Sequence, residues 1–210
     1  MKIIAIEGGI GSGKTTLLDP LVSYLNKTSG KEWSLIVEPV DEDPEFHRLL
    51  KQFINHPHDA NKRAEFQMYI TRCRHRLLQG IPDGNYIIER SLYSDIVFTQ
   101  CNMFSTEQAS GEYQSAYYDI KQHFNTYPKI DLVIYLNRNP LDCFNSAKQR
   151  DRDGESSYQL AYFEDLHLFH QACLPQLCRE HGAIYYDYFL GQQYATPELL
   201  GQQLLKLIKD

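Results

Sequence analysis

Residues 8–16 read GGIGSGKTT. Gly8 to Thr15 satisfies G-x-x-x-x-G-K-[ST], and its neighbours decide what that spacing means. The apolar run KIIAIE (2–7) precedes it as a strand, and a helical pattern over 14–28 follows. In that order the glycines let backbone N–H groups turn inward around phosphate oxygens, while the helix N-terminus adds partial positive charge. Lys14 is placed to reach the β- and γ-phosphates, and the Thr15 hydroxyl to help hold Mg²⁺. A glycine-rich turn without chemistry is the competing reading, and the strand–loop–helix context sets it aside. Gly8, Gly9, Ile10, Gly11, Ser12, Gly13, Lys14, Thr15 and Thr16 therefore form the predicted cradle for a nucleoside triphosphate, with Mg²⁺ as the expected metal.

Outward from the cradle, short β-rich apolar runs alternate with helical patterns. KIIAIE (2–7), SLIVE (34–38), YIIE (86–89), DLVIYL (131–136) and AIYYD (183–187) are continuous in hydrophobicity, as parallel strands covered on both faces are. Helices are predicted over 14–28, 60–79, 92–103, 106–124, 140–149, 157–180 and 196–208. The alternation predicts a doubly wound α/β fold, a five-stranded parallel sheet flanked by helices, as one domain over 1–210. Pro20 interrupts the first helix pattern and is expected to bend it.

The 210 residues suit one domain with a sizeable core. A net charge of −6 offers no basic surface for nucleic acid or an anionic membrane, so an anionic substrate needs a local cluster of cations. No apolar run approaches the roughly 20 residues of a membrane helix, and IIAI is too brief for a signal-peptide core. Five cysteines without C-x-x-C spacing fit reduced thiols and a cytoplasmic location. Glu164, His167 and His170 share a helix face, but such residues are more often solvated or hydrogen-bonded than metal-binding.

In doubly wound sheets, ligands collect beyond the carboxyl ends of the strands. The tips here are Glu7-Gly8, Glu38-Pro39, Glu89-Arg90 and Asn137-Arg138, which gathers charge and glycine at one edge. No N-K-x-D sequence offers to read guanine as in GTPases. DLVIYL ends in Asn137, with its aspartate, Asp131, at the entrance rather than the tip. The metal-side carboxylate must come from another strand, and Glu89 is the candidate.

Five stretches, GGIGSGKTT, VEPVDEDP (37–44), FQMYITRCR (66–74), IIERSLYSD (87–95) and QRDRDGE (149–155) with the later LH (166–167), occur in the order and spacing of the deoxynucleoside kinases. The chain resembles that family over roughly residues 1–170, and its bacterial branch most. The resemblance implies a P-loop kinase fold with a short arginine-rich lid, and ATP-dependent phosphorylation of a deoxynucleoside 5′-hydroxyl in nucleotide salvage by a homodimer. It implies Glu38 as general base, with a favourable charge at a helix N-terminus as the alternative reading of that carboxylate. Glu89 corresponds to the metal- and site-supporting carboxylate, and Arg90 to the arginine beside the 5′-hydroxyl and phosphates. Gln67 matches the base-reading glutamine, and Arg74 with Asp95 a pair found over the base in deoxycytidine and purine deoxynucleoside kinases. That pair favours deoxyguanosine, deoxyadenosine or deoxycytidine over thymidine. Arg150 and Arg152 match lid arginines in a lid over about 149–157, and Glu155 the glutamate contacting the sugar 3′-hydroxyl.

Three positions depart from the family pattern. The segment FINHPHDANKRAE (53–65) lacks the expected sugar-contacting tyrosine, which leaves Phe53 or His56 to fill its space. Ser146, with Lys148 nearby, stands where an adenine-stacking arginine is expected, and Asp43 stands where animal enzymes have tryptophan. Two other readings remain open here: a thymidylate-kinase-like enzyme, and a non-catalytic member of the fold. For a dimer face the tyrosine-rich 106–124 helix is the candidate.

Overall fold

The structure, a computed structural model, describes residues 1–38, 43–105, 111–150 and 158–208. Five strands, β1 (Lys2–Glu7), β2 (Trp33–Ile36), β3 (Asn85–Glu89), β4 (Leu132–Arg138) and β5 (Ile184–Gly191), form one parallel sheet in the order β2-β3-β1-β4-β5. Central β1 is buried from Ile3 onward, and its side chains alternate between the two faces. Ile3 and Ala5 pack toward α4 (Leu92–Ser105) and α7 (Leu160–His181), among Ile96, Val97, Leu166 and Leu174. Ile4 and Ile6 pack toward α1 (Lys14–Thr28) and α8 (Pro197–Leu207), among Leu18, Leu21, Leu200 and Leu204. Asp131 accepts a hydrogen bond from the Ile3 N–H at 2.8 Å, so the carboxylate at the entrance of β4 fixes strand register, far from the strand tips.

The remaining helices are α2 (Pro44–Asn55), α3 (Ala60–Leu77), α5 (Gly111–His123) and α6 (Pro140–Arg150). The helix α2 was not expected. Its signal is present in hindsight: Asp43 accepts from the Glu45 and Phe46 N–H groups, Pro44 follows at the first helical position, and Phe46, Leu49, Leu50, Phe53 and Ile54 make a buried stripe. Asp43 also accepts from the Tyr69 hydroxyl at 2.6 Å, joining α2 to α3 and holding its carboxyl below the usual range. The strand β5 runs further than expected, to Gly191, and α1 continues through Pro20. The expected lid lies largely outside the described residues, and Arg152 and Glu155 lie outside them too.

No metal-binding group of three His, Cys, Asp or Glu side chains forms among the described residues. The Leu166 carbonyl takes the Nδ1 proton of buried His170 at 2.7 Å, and the ring stacks on Tyr135 at 5.3 Å. Burial pushes its pKa down to about 3, from a usual value near 6.5. Between those values the unfolded chain binds the extra proton, so stability falls as pH drops through 6.5 toward 3. At pH 5 this single residue is expected to cost about 2 kcal/mol. Denaturant unfolding at pH 7.5 and pH 5 checks it: His170→Phe should flatten the pH dependence, and an unchanged slope would discard the assignment.

Candidate active site

The first turn of α1 begins at Gly13, which has φ 93° and no side-chain cap, leaving the N-terminal N–H groups of the helix to face an anion. Gly11 has φ 74°, and a Cβ there would lie 2.1 Å from the Cys143 carbonyl oxygen, so only glycine lets the loop pass beneath α6. Buried Lys14 donates to the Gly8 and Gly9 carbonyls at 2.9 and 2.8 Å and to Ser12 Oγ at 3.1 Å. Burial, reinforced by Arg90, pushes its pKa well below the usual lysine value. The Thr15 hydroxyl donates to Glu89 Oε1 at 3.1 Å, a hydroxyl–carboxylate pair between the first turn of α1 and the tip of β3. Two hard oxygen donors beside a phosphate cradle are the donor set Mg²⁺ takes.

From the loop a chain of contacts leads inward. Arg90 reaches the Gly8 carbonyl with Nη2 at 3.4 Å and Glu38 Oε2 with Nη1 at 3.3 Å. The other Glu38 oxygen accepts from Arg74 Nη2, and Arg74 Nη1 donates to Asp95 Oδ1. The Gln67 amide donates to that same Asp95 oxygen at 2.9 Å. Asp95, at 1% exposure, has its carboxyl pushed up by burial, with Arg74 working against the shift. Its Oδ2 is buried with no hydrogen-bond partner among the described residues. Gln67 and Arg74 do share a buried face of α3, as their spacing predicts.

Gly11 to Thr15, Glu38, Gln67, Arg74, Glu89, Arg90 and Asp95 all border one cavity of about 1060 Å³. Phe46, Leu50, Phe53, Phe66, Ile70 and Phe98 supply its apolar wall, and Thr16, Arg150 and Tyr194 line it as well. Phe53 lies in that wall with the Arg63 guanidinium 4.1 Å from its ring centre, whereas His56 is exposed at the end of α2. Of the two proposed fillers, only Phe53 faces the cavity.

Sequence reasoning missed two groups. Arg138 had been noted only as a strand tip. Its guanidinium lies 3.8 Å from the Tyr194 ring centre and donates to Gly11 O and Ser146 Oγ, both at 2.9 Å. The Tyr194 hydroxyl meets the same Ser146 oxygen at 2.8 Å. Tyr194 lies beyond the last strand with no motif around it, so no local signal marked it. Lys148 instead packs over Phe144 at 4.4 Å.

A family model described as deoxynucleoside kinase matches residues 4–189. Deoxycytidine kinase 2 of Gallus gallus is 29% identical over 203 residues, covering 83% of this chain and 74% of that protein. A deoxyguanosine kinase of Lactobacillus johnsonii is 26% identical over 230 residues, covering 99% and 93%. The solved structure of deoxyadenosine kinase from M. mycoides with bound dCTP superposes with a TM-score of 0.71 at 22% identity, covering 99% of this chain and 96% of that one.

Proposed function

Because the chain belongs to the deoxynucleoside kinase family, and is thereby a phosphotransferase of nucleoside salvage, we propose that it moves the γ-phosphoryl group of ATP to the 5′-hydroxyl of a deoxynucleoside bearing an amino group on its base. The observation that carries this reading is the contact chain from Gln67 through Asp95, Arg74, Glu38 and Arg90 to Gly8. It sets one carboxylate, Glu38, between a base-reading cluster and a phosphate loop.

Phosphoryl transfer needs positioning and charge stabilisation more than covalent help. The apolar wall takes the base, and Gln67 presents a donor and an acceptor to its edge. The unpartnered Asp95 Oδ2 accepts from an exocyclic amino group, which adenine, cytosine and guanine carry and thymine lacks. Glu38 takes the 5′-hydroxyl proton, while Lys14, Arg90 and the lid arginines Arg150 and Arg152 balance charge on the transferring group. Gly8 to Thr16 hold the donor phosphates. Thr15 and Glu89 would hold Mg²⁺, which would supply charge neutralisation to the donor phosphates. Glu155 is assigned to the sugar 3′-hydroxyl.

The single domain spanning 1–210 and a homodimer belong to the same proposal. The candidate dimer face is the tyrosine-rich helix, of which α5 is the described part, where Tyr118 is exposed; exposed Phe104 on α4, in ring contact with Phe169 on α7, and exposed Leu168 add apolar surface. No helix among the described residues is long and apolar enough to cross a membrane. None of the five cysteines is in a disulfide, which supports a reducing, cytoplasmic setting.

The test is the rate of phosphorylation of the four deoxynucleosides and of deoxythymidine monophosphate with Mg-ATP. Preference for deoxyguanosine, deoxyadenosine or deoxycytidine is the expected result. Turnover of the monophosphate alone would move the chain to thymidylate-kinase-like chemistry. Inactivity toward all five would return it to the non-catalytic reading.

A further inference from the structure

Glu7, the last residue of β1, is fully buried, yet no step of the mechanism above uses it. One of its carboxylate oxygens accepts from the Ser91 hydroxyl at 2.6 Å, and the other accepts from the Ser94 hydroxyl. Ser91 gives its proton to Glu7 while its oxygen accepts the Tyr93 N–H at 3.2 Å, which caps the start of α4. Both oxygens of a buried acid are thereby used on two serines at the base of one turn.

That turn carries Arg90. Its φ of 58° makes it the only non-glycine residue in the left-handed region among the described residues. An L side chain avoids that region, so surrounding contacts must hold it there. The backbone bond from the Arg90 N–H to Ile6 O at 3.1 Å fixes one side, and the Glu7–Ser91 bond fixes the residue that follows. The conformation aims the guanidinium at Glu38 and at the carbonyl of Gly8, the neighbour of Glu7. The first turn of α4, gripped through Ser94, carries Asp95. A single acid thus joins the phosphate loop, the arginine turn and the start of the base-reading helix. An apolar side chain would fill the same space without the cost of burying a carboxylate.

We propose that Glu7 is a positioning residue for phosphoryl transfer, locking Arg90 and the start of α4 against the phosphate loop through Ser91 and Ser94. The inference rests on the kinase reading above. Glu7→Gln keeps the shape but removes the charge and one acceptor. With the preferred deoxynucleoside and Mg-ATP, kcat is expected to fall about ten- to a hundredfold, because a displaced group is felt mainly in the transition state. The KM values for both substrates are expected to hold within about threefold, since Gln67, the apolar wall and the N–H groups of the phosphate loop are untouched. Ser94→Ala, which removes one of the two grips and keeps the carboxylate, should show a smaller fall in kcat with the same KM pattern. Thermal unfolding and ADP binding are measured on each variant, so that rates refer to folded, nucleotide-competent protein. Unchanged kcat per folded molecule would overturn the proposal, and so would a change in KM alone. A wild-type protein inactive on every deoxynucleoside would defeat the kinase reading itself, an outcome visible before either variant is made.

Discussion

Glu38→Gln is expected to lower kcat by about two to four orders of magnitude, the usual contribution of a positioned general base. The lower end is the safer expectation, because a loose phosphoryl-transfer transition state leaves less for the base to do. The KM for the nucleoside should move little, since Gln67, Asp95 and the apolar wall are untouched. Glu38 is also a structural partner, accepting from both Arg74 and Arg90 while only 8% exposed. The glutamine keeps one acceptor, and Arg74 keeps Asp95, so the fold should survive with a lower unfolding temperature. Steady-state rates alongside thermal unfolding separate the two effects. A folded variant with unchanged turnover would remove Glu38 from the role of base and leave it a holder of two arginines.

That double duty was not legible in the sequence, and the reason is geometric. The phosphate loop could be read because its residues are contiguous, and a contiguous loop needs no knowledge of how the chain packs. The strands could be read because parallel strands buried on both faces are continuously apolar. Gln67 and Arg74 were placed on one face by helical spacing alone. The Arg74–Glu38 contact spans 36 residues and depends on how α3 lies across the strand tips, which no periodicity encodes. The Glu7 bonds to Ser91 and Ser94 follow from the pairing of β1 with β3, where Ile6 faces Glu89. A list of strand tips names Glu7 but not its register against the next strand. Tyr194 is further removed, its place beside Arg138 set by the path of the chain after β5. The helix α2 is a different case: cap, proline and apolar stripe were all present in the sequence, and only the charged and proline-rich start of the segment obscured them.

Arg74 and Asp95 carry the other large expectation, and their burial dictates how it must be tested. Arg74 is 6% exposed and bridges two carboxylates, Glu38 at 8% and Asp95 at 1%. Arg74→Met alone leaves both acids without that guanidinium, and breaking a buried pair from one side costs about 3–5 kcal/mol. A loss of activity in the single variant would therefore say nothing of specificity. Asp95→Ala in the same chain removes the acid left most deeply buried, so the double variant should recover part of the lost stability. Its specificity should shift as well. A buried acceptor aimed at an amino group penalises thymine, whose corresponding edge offers a carbonyl, and an unmade buried hydrogen bond is worth about 1–3 kcal/mol. Removing the pair should raise kcat/KM for thymidine relative to the preferred deoxynucleoside by about ten- to a hundredfold on the same scale. Competition between the two substrates in one assay reads that ratio directly and is insensitive to the fraction of folded enzyme. If the ratio stays at the wild-type value while stability recovers, the pair serves the fold alone. Discrimination would then have to come from Gln67 and the aromatic wall.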